Sequence, residues 1–194
     1  MSRIPKDNFP IVIGISGYKQ SGKDTIAGQI AFNILKFNFF KNDEIIFEKF
    51  ATGLKNEICE AFDITSEHLD KRKLVSPLVR RVLQVVGTEW GREERGKDIW
   101  VKQLEERILN KKPKLVLITD LRFISEAEWI RSKNGFIVRV ERTGQVNTDL
   151  HQSEIEVDKI PSPDYRITND GTNLNALTRE VKFLTDTILD TYGL

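Results

Sequence analysis

The 194 residues suffice for one domain whose core needs no disulfide or structural metal. Thirty basic against 29 acidic side chains leave a formal charge of +1, which argues against a function built on bulk attraction to a nucleic acid polymer or a membrane surface. Cys59 has no partner for an internal disulfide, no Cys/His group has metal-ligand spacing, and no apolar run approaches the roughly 18–20 residues of a membrane span, so a soluble, cytoplasmic protein is expected.

In chain order, the apolar run Ile11 to Ile15 predicts a buried strand, and Ile26, Ala27, Ile30, Ala31, Ile34 and Leu35 then recur at helical spacing. Between them Gly17-Tyr18-Lys19-Gln20-Ser21-Gly22-Lys23-Asp24-Thr25 approximates the pattern G-x-x-x-x-G-K-[ST]. Glycines in such a loop let backbone N–H groups turn toward phosphate oxygens, and the lysine ammonium reaches the outer phosphates. The helix that opens near Gly22 adds its positive end to the same anion. Asp24 stands where the pattern places a magnesium-binding hydroxyl, followed by Thr25. Either Asp24 meets the metal as a carboxylate, or Thr25 supplies the hydroxyl.

A second buried strand is expected from Ile45 to Phe50, then a helix over residues 53–62 with Leu54, Ile58, Ala61 and Phe62 on one face. Residues 66–73 are charged and read as a loop or short helix. Ser76-Pro77 predicts a capped helix with proline in its first turn, stopping at Gly87. Another helix is expected over 98–110, closed by Pro113. Leu115 to Ile118 predicts a strand ending in Thr119-Asp120, and Ser125 with Glu128 a capping box for a helix that ends at Asn134-Gly135. Phe136 to Val140 returns as strand. Residues 141–164 are polar and poorly periodic, long enough to suggest a lid. Tyr165 to Ile167 is a short strand, Asn169-Asp170-Gly171 a turn, and Leu174, Leu177, Val181, Leu184 and Ile188 form a helical stripe. Five strands alternating with helices predict a three-layer α/β domain with a mainly parallel sheet and ligands beyond the carboxyl ends of its strands.

Several chemistry-bearing residues fall at those ends. Asp120 is placed to present a carboxylate to magnesium or to the acceptor, or else caps the next helix; Arg122 can offer a bidentate pair of N–H donors to phosphate. Arg80, Gln84 and Thr88 lie four apart and so are expected on one helical face, with Arg81 about 100° round. Such a face binds a phosphate and a base edge together, or is simply solvated, and Lys55 carries the same two readings. Arg139 and Arg142 sit at the end of the fourth strand and the start of the expected lid, which also holds His151; a cationic lid suits phosphoryl transfer. His68 lies in the charged stretch, and Trp90, Trp100 and Trp129 read as packing residues.

With these residues in hand, the chain resembles the deoxynucleoside monophosphate kinases of T-even bacteriophages, within the wider nucleoside monophosphate kinase group. The likeness is collinear: Ser16 to Thr25, Ala51 to Lys55, Arg80 to Gln84 with Gly87-Thr88, Trp100-Val101-Lys102, Asp120-Leu121-Arg122 and Ile167 to Gly171. It implies a P-loop kinase that moves the γ-phosphoryl of ATP, with Mg2+, to a deoxynucleoside monophosphate. Gly17, Lys19, Ser21, Gly22, Lys23, Asp24 and Thr25 would hold the donor phosphates, with Lys23, Asp120, Arg122 and the lid's Arg142 catalytic. Lys55, Arg80, Arg81, Gln84 and Thr88 would line the acceptor pocket, within a helical insertion over about residues 53–110. Asn169 and Gly171, beside Asp170, would contact the donor adenine, and Asp24, Thr25 or Asp120 would hold the metal. A small-molecule nucleotide is then the partner, with no nucleic acid polymer and no membrane. The host cytoplasm is the expected location for a phage-encoded enzyme, and a homodimer is left open. Two alternatives stand beside this: a P-loop kinase for another phosphorylated acceptor, of the dephospho-coenzyme A or phosphomevalonate type, and a non-catalytic nucleotide switch.

Overall fold

The computed structural model describes residues 3–5, 9–145 and 151–194. The chain divides into two compact units, Met1–Glu48 with Lys111–Leu194, and Lys49–Asn110.

The first unit is built on a five-stranded sheet in the order β2-β3-β1-β4-β5. Its strands are β1 (Ile11–Ser16), β2 (Ile45–Glu48), β3 (Leu115–Leu121), β4 (Phe136–Arg142) and β5 (Tyr165–Asn169), every pair parallel. All six residues of β1 are buried, because a central parallel strand is covered on both faces and therefore reads as one apolar run. Ile11, Ile13 and Ile15 share a core with the buried faces of α1 (Lys23–Lys36) and, at the far end of the chain, the helix Leu174–Tyr192. On the other face, a Cβ added to Gly14 would lie 2.3 Å from Ile130 Cδ1, so glycine lets the helix Ile124–Ser132 press against the strand. These are the three layers that the alternation predicts.

Strand order reverses at β1, which lies between β3 and β4, and such a reversal opens a crevice beyond the carboxyl ends. There the pairing of β1 with β3 slips, from Gly14 opposite Ile118 to Ser16 opposite Leu121. The extra residue on β3 is a bulge beside Asp120, a device that re-aims side chains next to functional sites.

The second unit contains α2 (Ala51–Phe62), α3 (Ser66–Val75), α4 (Pro77–Gln84) and most of α5 (Ile99–Lys111). Residues 66–73, read as loop or short helix, belong to a full helix capped by Thr65 Oγ1, which accepts the His68 N–H at 3.2 Å. Ser76 caps α4 with Pro77 behind it, as expected. The helix does not stop at Gly87, however. It continues over Val85–Glu94 in a wider π-type coil. Gly87 serves packing instead: its carbonyl accepts Trp100 Nε1–H at 2.8 Å, and a Cβ there would lie 2.8 Å from Leu54. Gly91 packs on Trp100 in the same way, a Cβ falling 2.5 Å from its ring.

Other boundaries also shift. β2 ends at Glu48, because Phe50 has already turned helical and is buried by packing rather than by sheet pairing. The helix after β3, α6 (Ile124–Ser132), is not capped by Ser125 and Glu128. Glu126, nearly fully buried, accepts the N–H groups of Arg122 at 2.8 Å and Phe123 at 3.1 Å. It closes as expected at Asn134, whose φ is +58°, and Gly135. The stretch 141–164 is not structureless: β4 runs to Arg142, and α7 (Gln152–Ile155) is followed by a 3-10 turn, Glu156–Lys159. Residues 146–150 of the expected lid lie outside the described residues. The last helix, α8 (Leu174–Tyr192), is capped by Asn173 Oδ1, which accepts the Ala176 N–H at 3.0 Å.

Candidate active site

The loop between β1 and α1 has the backbone that a phosphate cradle needs. Gly17 and Gly22 sit at φ +147° and +102°, and a Cβ would fall 2.4 Å from the Val140 carbonyl in one case and 2.5 Å from Asn169 Nδ2 in the other. Only glycine fits either place. The N-cap of α1 is Gly22 itself, which has no side chain to cap the positive end of the helix. Ser21 is fully buried, and its hydroxyl has no hydrogen-bond partner among the described residues.

Lys23 is buried and folds back over the loop, its ammonium donating to the carbonyls of Gly17 at 2.8 Å and Tyr18 at 2.6 Å. Neutral carbonyls are weaker partners than a phosphate oxygen, so a triphosphate can take this ammonium from them. Asp24 and Thr25 are exposed in the first turn, and Asp24 Oδ1 accepts the Thr119 hydroxyl at 2.7 Å. That bond ties the first turn of α1 to the end of β3, where Asp120 is half-buried.

Among the described residues, no group of three or more His, Cys, Asp or Glu side chains forms a metal cage. Magnesium needs none. It is usually held by one or two carboxylates together with substrate phosphates, and the oxygen set of Asp24, Thr25 and Asp120 beside an open helix end fits that habit.

Arg122 follows β3 and forms an ion pair with Glu154 of α7, whose carboxylate is almost fully buried. Asp158, in the following turn, accepts from Arg139 at 2.8 Å and from the Tyr18 hydroxyl, while Arg139 also donates to the Val157 carbonyl at 2.7 Å. The Arg139 guanidinium lies 5.1 Å from the centre of the Tyr18 ring. Burial pushes the Tyr18 hydroxyl above its ordinary pKa, Asp158 adding to the effect and Arg139 opposing it. The expected lid therefore has a docked part, pinned by two carboxylates. Sequence reasoning missed Glu154 and Asp158, since neither belongs to a motif or a periodic face. His151 is the cap of α7, its Nδ1 accepting the Ser153 N–H at 3.2 Å.

Arg142 does not stand apart in a lid; it donates to the Gln20 carbonyl of the loop at 2.9 Å. Asn169 Nδ2 donates to the Ser21 carbonyl at 2.9 Å, and its Oδ1 accepts the Gly171 N–H at 3.0 Å. The structure thus brings Gly17, Lys19, Ser21, Gly22, Lys23, Arg142, Asn169 and Gly171 into one neighbourhood.

In the helical unit, Lys55 pairs with Asp70 at 2.6 Å and Arg81 with Glu89 at 2.8 Å. Arg80 and Gln84 line a cleft of about 180 Å³ together with Leu74, Val75, Ser76 and Pro77. Thr88 lies within the π-type coil and is buried, whereas Arg80 is exposed and Gln84 is half-buried between them in sequence.

A glycine loop, a lysine and an open helix end at the reversal of an all-parallel five-stranded sheet define a P-loop kinase. The sequence profile of the deoxynucleotide monophosphate kinases matches residues 56–181, more than half of the chain, and the chain belongs to that family. The match begins after the donor loop, which therefore rests on its own geometry. A protein of Acanthamoeba polyphaga mimivirus, provisionally named a deoxynucleotide monophosphate kinase, is 28% identical over 182 residues, 84% of this chain and 90% of its own length. The deoxynucleoside-5'-monophosphate kinase of Escherichia phage T5 is 43% identical over 60 residues, 31% of this chain and 23% of that protein. Among solved structures, thymidylate kinase from Ehrlichia chaffeensis superposes with a TM-score of 0.47 at 14% identity, over 94% of this chain and 99% of that one. The chain is an enzyme that phosphorylates deoxynucleoside monophosphates. No helix among the described residues is long and apolar enough to cross a membrane.

Proposed function

We propose that the phosphoryl donor is ATP, bound with its phosphates over Gly17–Thr25, and that the product pair is ADP and a deoxynucleoside diphosphate. The observation that carries this reading is the buried Lys23 ammonium, which folds onto the loop carbonyls of Gly17 and Tyr18 beside a helix end with no side-chain cap. Lys23 exchanges those carbonyls for donor phosphate oxygens and stabilises charge on the phosphoryl in flight. Arg122 exchanges the Glu154 carboxylate for the acceptor phosphate, with Asp120 beside it facing the magnesium or the acceptor. The attacking oxygen, already part of a phosphate monoester, needs no covalent enzyme intermediate, so the protein's work is positioning and charge neutralisation. Magnesium, held by Asp24, Thr25 or Asp120, supplies further neutralisation when bound. Arg142 adds positive charge at the loop, and Asn169 and Gly171 border the donor base. Lys55, Arg80, Arg81, Gln84 and Thr88 of the helical unit are assigned to the acceptor nucleotide, whose free form implies a cytoplasmic enzyme.

A panel of deoxy- and ribonucleoside monophosphates, incubated with ATP and magnesium in a coupled ADP assay, tests the reading. ADP formation should depend on a deoxynucleoside monophosphate. Slow hydrolysis indifferent to every acceptor would mark a nucleotide switch instead.

A further inference from the structure

We propose that Gln145, which no motif singles out, and Asn169 are positioning residues that keep the donor loop in its phosphate-binding shape once Lys23 has left the loop carbonyls; this rests on reading Gly17–Thr25 as the donor site. Every carbonyl from residue 17 to residue 21 is anchored by a side chain. Lys23 holds Gly17 and Tyr18 at 2.8 and 2.6 Å, and Gln145 Nε2 holds Lys19 at 2.6 Å. Arg142 holds Gln20 at 2.9 Å, and Asn169 Nδ2 holds Ser21 at 2.9 Å.

A trans peptide is planar, with its carbonyl and the next residue's N–H pointing in opposite directions. Anchoring those five carbonyls therefore sets the N–H groups of residues 18 to 22. The Ser21 N–H closes the turn onto the Tyr18 carbonyl at 3.2 Å. The N–H groups of Tyr18, Lys19, Gln20 and Gly22 are aimed away from their anchors, an arrangement that suits an anion.

Phosphate does not leave all five anchors alone. It competes for the Lys23 ammonium and for the exposed guanidinium of Arg142, both of which bind phosphate strongly. The amides of Gln145 and Asn169 are neutral and stay behind. Asn169 is itself fixed, since its Oδ1 accepts the Gly171 N–H and its Nδ2 lies against Gly22 where a Cβ would fall 2.5 Å away.

Gln145→Met and Asn169→Leu remove the N–H donors while keeping charge and approximate size. Calorimetric titration of the full chain with β,γ-methylene-ATP and magnesium, paired with steady-state kinetics and melting curves, reads the effect. Each variant should bind the analogue about three- to tenfold more weakly, and the double variant about ten- to a hundredfold, as expected for one lost hydrogen bond each. KM for ATP should rise in step while KM for the deoxynucleoside monophosphate stays within twofold. Analogue affinity within twofold of wild type in Gln145→Met and in the double variant overturns the proposal. Equal loss for donor and acceptor, accompanied by a collapsed melting temperature, overturns it too, by leaving a purely structural role. Should Asn169→Leu not fold, Gln145→Met decides alone. A wild-type chain that does not bind the analogue removes the donor-site reading itself.

Discussion

The donor loop and the helical unit recruit cations in opposite ways. Around Gly17–Thr25 the backbone does the shaping: glycines stand where no Cβ fits, and carbonyl after carbonyl is anchored by side chains from α1, from the end of β4 and the turn after it, and from the end of β5. In Lys49–Asn110 the candidate cations are side chains on helix surfaces, with Arg81 and Glu89 respectively 59% and 47% exposed in their ion pair. A pair so exposed is worth about 0–1 kcal/mol. It yields readily to a better partner. On the proposed assignment, a donor triphosphate that is the same in every turnover suits a preformed cradle, whereas an acceptor site made of weakly engaged side chains can rearrange around its nucleotide.

The largest effect should come from the loop. Lys23→Met removes the ammonium buried against it and should lower turnover on the order of 10²–10³-fold, with an unchanged circular dichroism spectrum. A variant retaining more than a tenth of wild-type kcat would show that shape alone, without the lysine, does the work.

Next in size are the arginines proposed to hold the acceptor. Arg122→Ala, Arg80→Ala and Arg81→Ala should each raise KM for the deoxynucleoside monophosphate by roughly tenfold, the worth of one charge-assisted hydrogen bond, while ATP affinity by calorimetry hardly moves. Equal losses for both ligands would erase the distinction between the two regions.

Asp24 should show a smaller effect, confined to magnesium. Asp24→Asn keeps the bond to Thr119 possible but removes a charge from a site for a hard cation, so the magnesium midpoint at fixed ATP should rise severalfold. Asp24→Ser should recover more activity than Asp24→Ala. If none of the three shifts the midpoint and melting falls slightly, Asp24 only favours the helix dipole, an effect of about 0.3–1 kcal/mol.

The smallest effect lies away from both sites. Burial would push the Asp164 carboxyl up, but hydrogen bonds from Arg3, from the Ile137 N–H at 2.7 Å and from Arg131 outweigh it and hold the pKa below its ordinary 3.8. A depressed folded pKa contributes stability above the unfolded value and loses it as pH falls through the folded one. The melting temperature should therefore drop below about pH 4 through this group, and Asp164→Asn should flatten that acid limb while lowering stability at pH 7.

The sequence by itself determined the sheet, the glycine loop between β1 and α1, and most helices. Periodicity is a local record of burial, and Gly17, Gly22 and Lys23 are spaced for one backbone shape. It also carried the family likeness, because Arg80 to Gln84, Asp120-Leu121-Arg122 and Ile167 to Gly171 are short and collinear. Tertiary structure decided the rest. Gly87 looked like a helix stop because its packing against Leu54 and its carbonyl's bond to Trp100 leave no trace in local spacing, so the π-type coil and the burial of Thr88 were hidden. Glu154 meets Arg122 across 32 residues, and Gln145 meets Lys19 across 126. A polar residue in a polar stretch looks alike whether it faces water or grips a distant backbone, and only the folded chain brings the two partners together.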